Sequence, residues 1–163
     1  MIRIGDVDII LSPLWSHIRK ENEVSVFRGM NDFRQILYGK HRLCIEDFNA
    51  EHEKHLTFLK QSVIESTAKH IVVVTHHLPT HQVVGEERIK DRMNNAYVTE
   101  LGNFIADSRI DYWIYGHSHE NFETEIGHTK IISNQLGYLL NGVQADGFSE
   151  SRFIEPIRKT NTK

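Results

Sequence analysis

Apolar residues fall into short unbroken runs and one long periodic stretch, and the two patterns predict different elements. Val7 to Leu11 is rich in β-branched and apolar residues and is stopped by Ser12-Pro13, so it reads as a strand. Between Ser16 and Arg42 charges, aromatics, Gly29 and Gly39 mix without period, which predicts loop with short helical turns. From Asp47 to about Ser66 the pattern turns helical. Phe48, His52, Leu56, Leu59 and Val63 recur at steps of three and four and share one face. Asp47 or Asn49 is the expected cap, and Glu51 and Glu53 suit the positive end of the helix dipole.

Ile71-Val72-Val73-Val74 is a β-branched run of the kind found in strands covered on both faces. A second amphipathic helix is expected over Ala96–Asp107, with Val98, Leu101, Phe104 and Ile105 inward and Gly102 weakening it. The strand Tyr112–Tyr115 follows. Helix and strand in alternation imply parallel strands with crossover helices, an α/β class. Phe122–Ile126 and Thr129–Ser133 flank Gly127-His128, a pair suited to a type II′ hairpin turn. The tail beyond about Glu155 is expected to fray.

Length and composition narrow the class. A chain of 163 residues with 39% hydrophobic and 25% charged positions is long enough for one domain with a real core. A net charge of −3 argues against a dedicated nucleic-acid binder. One cysteine, Cys44, forbids a disulfide framework within the chain and reads as a small, buried or half-buried side chain. No apolar run reaches membrane-spanning length, and acids stand where a signal peptide has its apolar region, so no membrane partner and a cytoplasmic location are expected. The count of 11 histidines is high for this length, and imidazole is both a metal ligand and a proton carrier near neutral pH.

The histidines that matter follow the two buried runs. Thr75-His76-His77 comes directly off Ile71–Val74, and Gly116-His117-Ser118-His119 directly off Tyr112–Tyr115. Ligand sites of open α/β sheets gather at the carboxyl ends of strands, and adjacent parallel strands bring such ends together. Neutral imidazole offers a lone pair to a borderline metal. Gly116 is expected to turn the chain sharply. The single residue between His117 and His119 suits two metals side by side better than one chelate. His76 is the ligand of its pair because it leaves the strand first. His77 is expected to touch substrate or to support the ligands. His52 and His55, on the predicted helix, read as packing or solvated face.

Val72-Val73-Val74-Thr75-His76-His77-Leu78-Pro79, followed by Trp113-Ile114-Tyr115-Gly116-His117-Ser118-His119, resembles the last two motifs of the calcineurin-like metallophosphoesterases. Glu51-His52 with the helix to Leu59, then Ile126-Gly127, Asn134 and Gly137-Tyr138, are similar to the stretches flanking those motifs. The resemblance implies part of a four-layer sandwich, two β-sheets flanked by helices, with residues 1–150 as the C-terminal half of the domain and 151–163 as a tail. It implies a divalent metal pair (Mn, Fe or Zn), with His76 and His117 on one ion and His119 on the other. The ions activate a bridging hydroxide for attack on a phosphoester substrate. The family's Asp-x-His, Gly-Asp-x-x-Asp and Gly-Asn-His-Asp/Glu motifs, and its general acid with them, have no counterpart here. Residues 1–15 look like the strand region that follows the last of these. Gly5-Asp6-Val7-Asp8 is one position short of a match and reads as a polar hairpin edge. The metal pair is therefore expected to be weakly held, with no catalytic residue in the chain itself. Activity then needs a separately encoded N-terminal half or an upstream start. A non-catalytic remnant or interaction module is the alternative, and a single zinc on His76, His117 and His119 a third reading.

Overall fold

The computed structural model describes residues 1–138 and 142–155 and is built on a six-stranded mixed sheet, with two two-stranded ribbons beside it. The strands are β1 (Ile2–Ile4), β2 (Val7–Ser12), β5 (His70–Thr75), β6 (Tyr112–Tyr115), β7 (Thr124–Ile126) and β8 (Thr129–Ser133). Their order is β1-β2-β5-β6-β8-β7. The central four are parallel, and an antiparallel hairpin closes each edge. The ribbons are β3 (Leu37–Tyr38) with β4 (His41–Arg42), and β9 (Gly137–Tyr138) with β10 (Val143–Gln144). The helices are α1 (Glu23–Gly29), α2 (Asp32–Gln35), α3 (Ile45–Glu65) and α4 (Gly102–Asp107). The α/β class and the parallel pairing are thus present. The expected frayed tail beyond Glu155 lies outside the described residues.

Register explains the core. Ile10, Val73, Trp113 and Ile131 stand in one row across four strands and are fully buried. Leu59 and Val63 of α3 and Ile105 of α4 cover that row, so the expected helix stripe does face the sheet. Side chains alternate along a strand, so the next row points the other way. Val7, Ile9, Val72, Val74 and Ile114 on that side are only half-buried and line an apolar groove of about 300 Å³ with Ile154. The Ile71–Val74 run is therefore closed on one face rather than both, because among the described residues no helix lies over the second.

A second apolar cluster, including Ile18, Val26, Phe33, Phe48 and Ala96, gathers at the carboxyl end of the parallel strands. Trp15 stacks on Phe48 with ring centroids 4.8 Å apart, and Tyr97 touches both clusters.

Two local expectations need correction. The long helix is capped by Cys44, with Asp47 at the third position returning a bond to the Cys44 N–H at 3.2 Å; Asn49 lies inside the helix and brackets Ile18 instead. The second helix starts at Gly102 rather than Ala96. Leu78 and Val98 form a β-bridge, and Glu100 accepts the N–H groups of both His81 and Gly102, so residues 97–101 are committed to the neighbouring loop. Gly5 to Asp8 lie in the β1–β2 hairpin at the sheet edge, as expected, and Asp8 does not point to solvent. It is buried, ion-paired with Arg3 across the hairpin, and accepts the Ser66 hydroxyl at 2.6 Å. The Gly127 turn is as expected: φ is +63°, and a methyl there would stand 3.1 Å from the Ala106 carbonyl oxygen, which seats the hairpin on α4.

Candidate metal centre at the strand tips

β5 and β6 are hydrogen-bonded neighbours, so the segments leaving them emerge side by side. The Gly116 N–H donates to the His76 carbonyl at 3.1 Å, fastening the two exits together. The rings then meet: His117 Nδ1 lies 2.9 Å from His76 Nε2, with centroids 4.8 Å apart and planes nearly perpendicular. Two imidazole nitrogens on one tetrahedral zinc, each about 2.0–2.1 Å from it, are about 3.3 Å apart. The observed pair is within a few tenths of an ångström of that, so one ion fits between these two rings with a small opening movement.

The turn that aims His117 is unusual. The Ser118 N–H reaches back to the Gly116 carbonyl at 2.9 Å, which closes a three-residue turn around His117 at φ +71°. Such turns with a positive central φ are rare and strained. His119 follows at φ +58°. The sharp turn expected at Gly116 is therefore made by the two histidines that follow it. Gly116 itself has no positive φ, and a methyl there would make an ordinary contact with His76 Nδ1 at 3.4 Å, so the turn does not demand glycine. Leu14, at the tip of β2, is the third non-glycine residue with positive φ among the described residues, so backbone strain there concentrates at this end of the sheet.

His119 is set apart from the touching pair and lines a cavity together with His117, whereas His76 does not line it. Its N–H donates to Gln135 Oε1 at 2.8 Å, and its ring stacks on Tyr138 at 3.8 Å. Nδ1 stands 3.4 Å from the Gly137 carbonyl; donation there leaves the lone pair on Nε2, the arrangement usual for a ligating histidine. Among the described residues, His76, His117 and His119 do not form a trio with ligand atoms within 4.8 Å of one another, which speaks against one shared zinc.

His77 is buried and lies behind the pair. Its Nδ1 accepts the Ser16 N–H at 3.2 Å, so its Nε2 carries the proton, and its ring packs 4.7 Å from His117. It does not line the cavity. The turn holding Ser16 is itself tied to α3: Trp15 donates its N–H to His55 Nδ1, and its carbonyl meets His52 Nδ1 at 2.6 Å. Behind the β5 tip, the Thr75 hydroxyl donates to the His77 carbonyl at 2.8 Å and accepts Trp113 Nε1–H at 3.0 Å.

Enclosure and mutual repulsion keep these rings neutral. Burial, then the neighbouring His76, lowers His117 to about 4. Burial also holds His77 well below the usual histidine range, and His76 is lowered by burial and by His119. Asp32 opposes the shift at both His76 and His117. Neutral imidazoles with free lone pairs are the form that binds a metal.

A cavity of about 430 Å³ opens in front of His117 and His119. Its further walls include Asp32, Arg88, Tyr97, Glu120 and Tyr138. Tyr97 packs its ring 4.5 Å from His117, and Arg88 pairs with Glu120 at 2.9 Å. Of these only Tyr138 carried any sequence signal. The other four lie outside the two histidine motifs or, like Glu120, just beyond them.

Two groups of ligand-type side chains stay apart from the centre. Asp6 and Asp8 sit at the amino end of the parallel strands, opposite the histidines. His41, Cys44 and Asp47 bring three ligand-type atoms within 4.8 Å, but the helix cap accounts for that, since Asp47 Oδ2 is the common acceptor.

No protein-family model matches the chain. It is similar to Uncharacterized protein L509 of Acanthamoeba polyphaga mimivirus, with 25% identity over 146 residues, covering 83% of this chain and 51% of that protein. The chain thus spans about half the length of this relative. Among the described residues, no helix is long and apolar enough to cross a membrane.

Proposed function

We propose that the chain is the C-terminal portion of a calcineurin-like metallophosphoesterase domain and supplies three histidines to a two-metal centre that hydrolyses a phosphoester. The observation that carries this reading is the 2.9 Å meeting of His76 and His117 at the tips of adjacent parallel strands, with His119 lining the same cavity as His117. His76 and His117 would hold one divalent ion (Mn, Fe or Zn) and His119 the other. Bound there, a metal pair lowers the pKa of a shared water and neutralises phosphoryl charge during in-line displacement.

The chain's own residues prepare that chemistry. The Gly137 carbonyl selects the His119 tautomer, while His77 and Tyr97 fix the His117 ring by packing. The cavity volume suits a small phosphoester, within the usual range for small-molecule sites. Hydrolytic zinc sites normally take three protein ligands, whereas this chain offers two to one ion and one to the other. The remaining ligands and the general acid come from outside these residues, so the ions are weakly held by the chain alone.

Metal titration of the purified chain tests the proposal. Cobalt(II) or manganese(II) uptake is expected for the wild type, with marked loss in His76→Ala and His117→Ala and a halved stoichiometry in His119→Ala. Phosphodiesterase activity is expected only when a segment carrying the missing motifs is added. Uptake that ignores all three substitutions refutes the reading. No uptake at all leaves the remnant reading in its place.

A further inference from the structure

The cavity in front of His117 and His119 is lined by three carboxylates, and two of them are already engaged. Asp91 accepts the Met93 N–H at 2.8 Å, and Glu120 pairs with Arg88 at 2.9 Å. Asp32 is different. Among the described residues, no side chain or backbone group donates to its carboxylate, and no cation pairs with it within 4.0 Å.

Its position is nevertheless fixed. Asp32 opens α2, and the next residue, Phe33, is buried between Phe27 and Phe48, with ring centroids 5.2 and 6.0 Å away. The short turn is thereby anchored in the second core cluster, and Asp32 is left half-buried on the cavity wall. From there it faces the cavity that His117 and Tyr97 also line. Its charge thus shares a cavity with His117 and, among the described residues, has no cation within 4.0 Å. A dication between the rings would compensate it. Direct ligation is not what the spacing suggests, since Asp32, His76 and His117 do not form a trio with ligand atoms within 4.8 Å.

We propose that Asp32 is a positioning residue of the His76–His117 centre, acting through charge across the cavity rather than as a direct ligand, and that it raises the affinity for the divalent ion. The inference rests on the metal reading above. Outer carboxylates that support a metal centre typically contribute about 10–100-fold in affinity. A share of that size is well beyond the screened effect of a remote surface charge.

The test is a cobalt(II) titration, followed by visible absorption, of the whole chain and four variants: Asp32→Asn, Asp32→Glu, Asp107→Asn and His117→Ala. Asp107 is exposed at the end of α4 and supplies the same change in net charge at a remote point. Asp32→Asn is expected to weaken binding about 10–100-fold. Asp32→Glu should recover most of the loss, Asp107→Asn should match wild type, and His117→Ala should lose the site. Metal-free urea unfolding of Asp32→Asn should match wild type, which separates an electrostatic role from a structural one. If Asp32→Asn binds like wild type while His117→Ala fails, the inference is overturned and the metal reading stands. Equal weakening in Asp32→Asn and Asp107→Asn overturns it as well. If wild type takes up no cobalt, or His117→Ala binds unchanged, the metal reading itself falls and takes the inference with it.

Discussion

Substituting His117 by glycine and by alanine separates two costs that the native residue combines. Both changes delete the same ring, with its packing at 4.8 Å from His76, 4.7 Å from His77 and 4.5 Å from Tyr97. That loss cancels between the two variants. What remains is the backbone at φ +71°. A residue with a Cβ pays roughly 1–2 kcal/mol in left-handed conformations. Glycine escapes that cost but loses about 0.4–1 kcal/mol more entropy on folding. The net expectation is that His117→Gly is more stable than His117→Ala by about 1 kcal/mol. The same sign is expected at His119, where φ is +58°. At His76, which leaves its strand without a positive φ, the order reverses, and alanine is the more stable by about 0.5–1 kcal/mol. Urea unfolding of metal-free protein, followed by tryptophan emission, reads the difference, since Trp113 is fully buried in the main core. With a denaturant slope of about 1–3 kcal/mol per molar, the midpoints should differ by about 0.5 M. Alanine equal to or better than glycine at position 117 would show that the turn is not strained and that the ring is aimed at no backbone cost.

Two further outcomes are expected. In metal-free protein, stability should fall as pH drops from about 6.5 toward 4: over that range the unfolded chain binds protons that the folded His117, lowered to about 4, refuses. A pH series of urea midpoints should show this slope, reduced in His117→Ala, with a further share from His77, which burial also holds well below the usual histidine range. Thr75→Val should cost about 1–3 kcal/mol by leaving the buried Trp113 N–H without an acceptor, with Thr75→Ser losing less; a shift in tryptophan emission together with the unfolding midpoint would check it.

The parts of the fold legible in the sequence were those set by local period. Val7–Leu11, Ile71–Val74 and Tyr112–Tyr115 announce themselves as β-branched or aromatic runs, and the apolar stripe of α3 repeats for five turns or so. The pairing of His76 with His117 was legible because it follows from where two such runs end. Residues 96–101 were misread because their apolar spacing is helical while their hydrogen bonds are not: Glu100 binds the backbone on both sides of the loop crossing. Most of the cavity wall was not legible. Asp32 comes from a segment without period and Tyr97 from the stretch misread as helix, and the packing of Phe33, Phe48 and Ala96 that brings them to the cavity is a property of the folded chain. The cap of α3 was missed because cysteine is a poor advertisement for a helix start, and only the folded chain shows Asp47 answering it.

The turn at Trp15-Ser16 has a mechanical meaning. One imidazole from the β5 tip and two from the longest helix grip its backbone, so helix and strand tip are coupled through two residues. A slide of that helix by even part of a turn would have to release Trp15 and would drag on Ser16. The ring at position 77 would then lose its acceptor role and loosen its hold on its neighbour at 117. Stiffening the strand tips from the cavity side should therefore be felt along the helix, whose amide protons near His52 and His55 would exchange more slowly with solvent once an ion is bound.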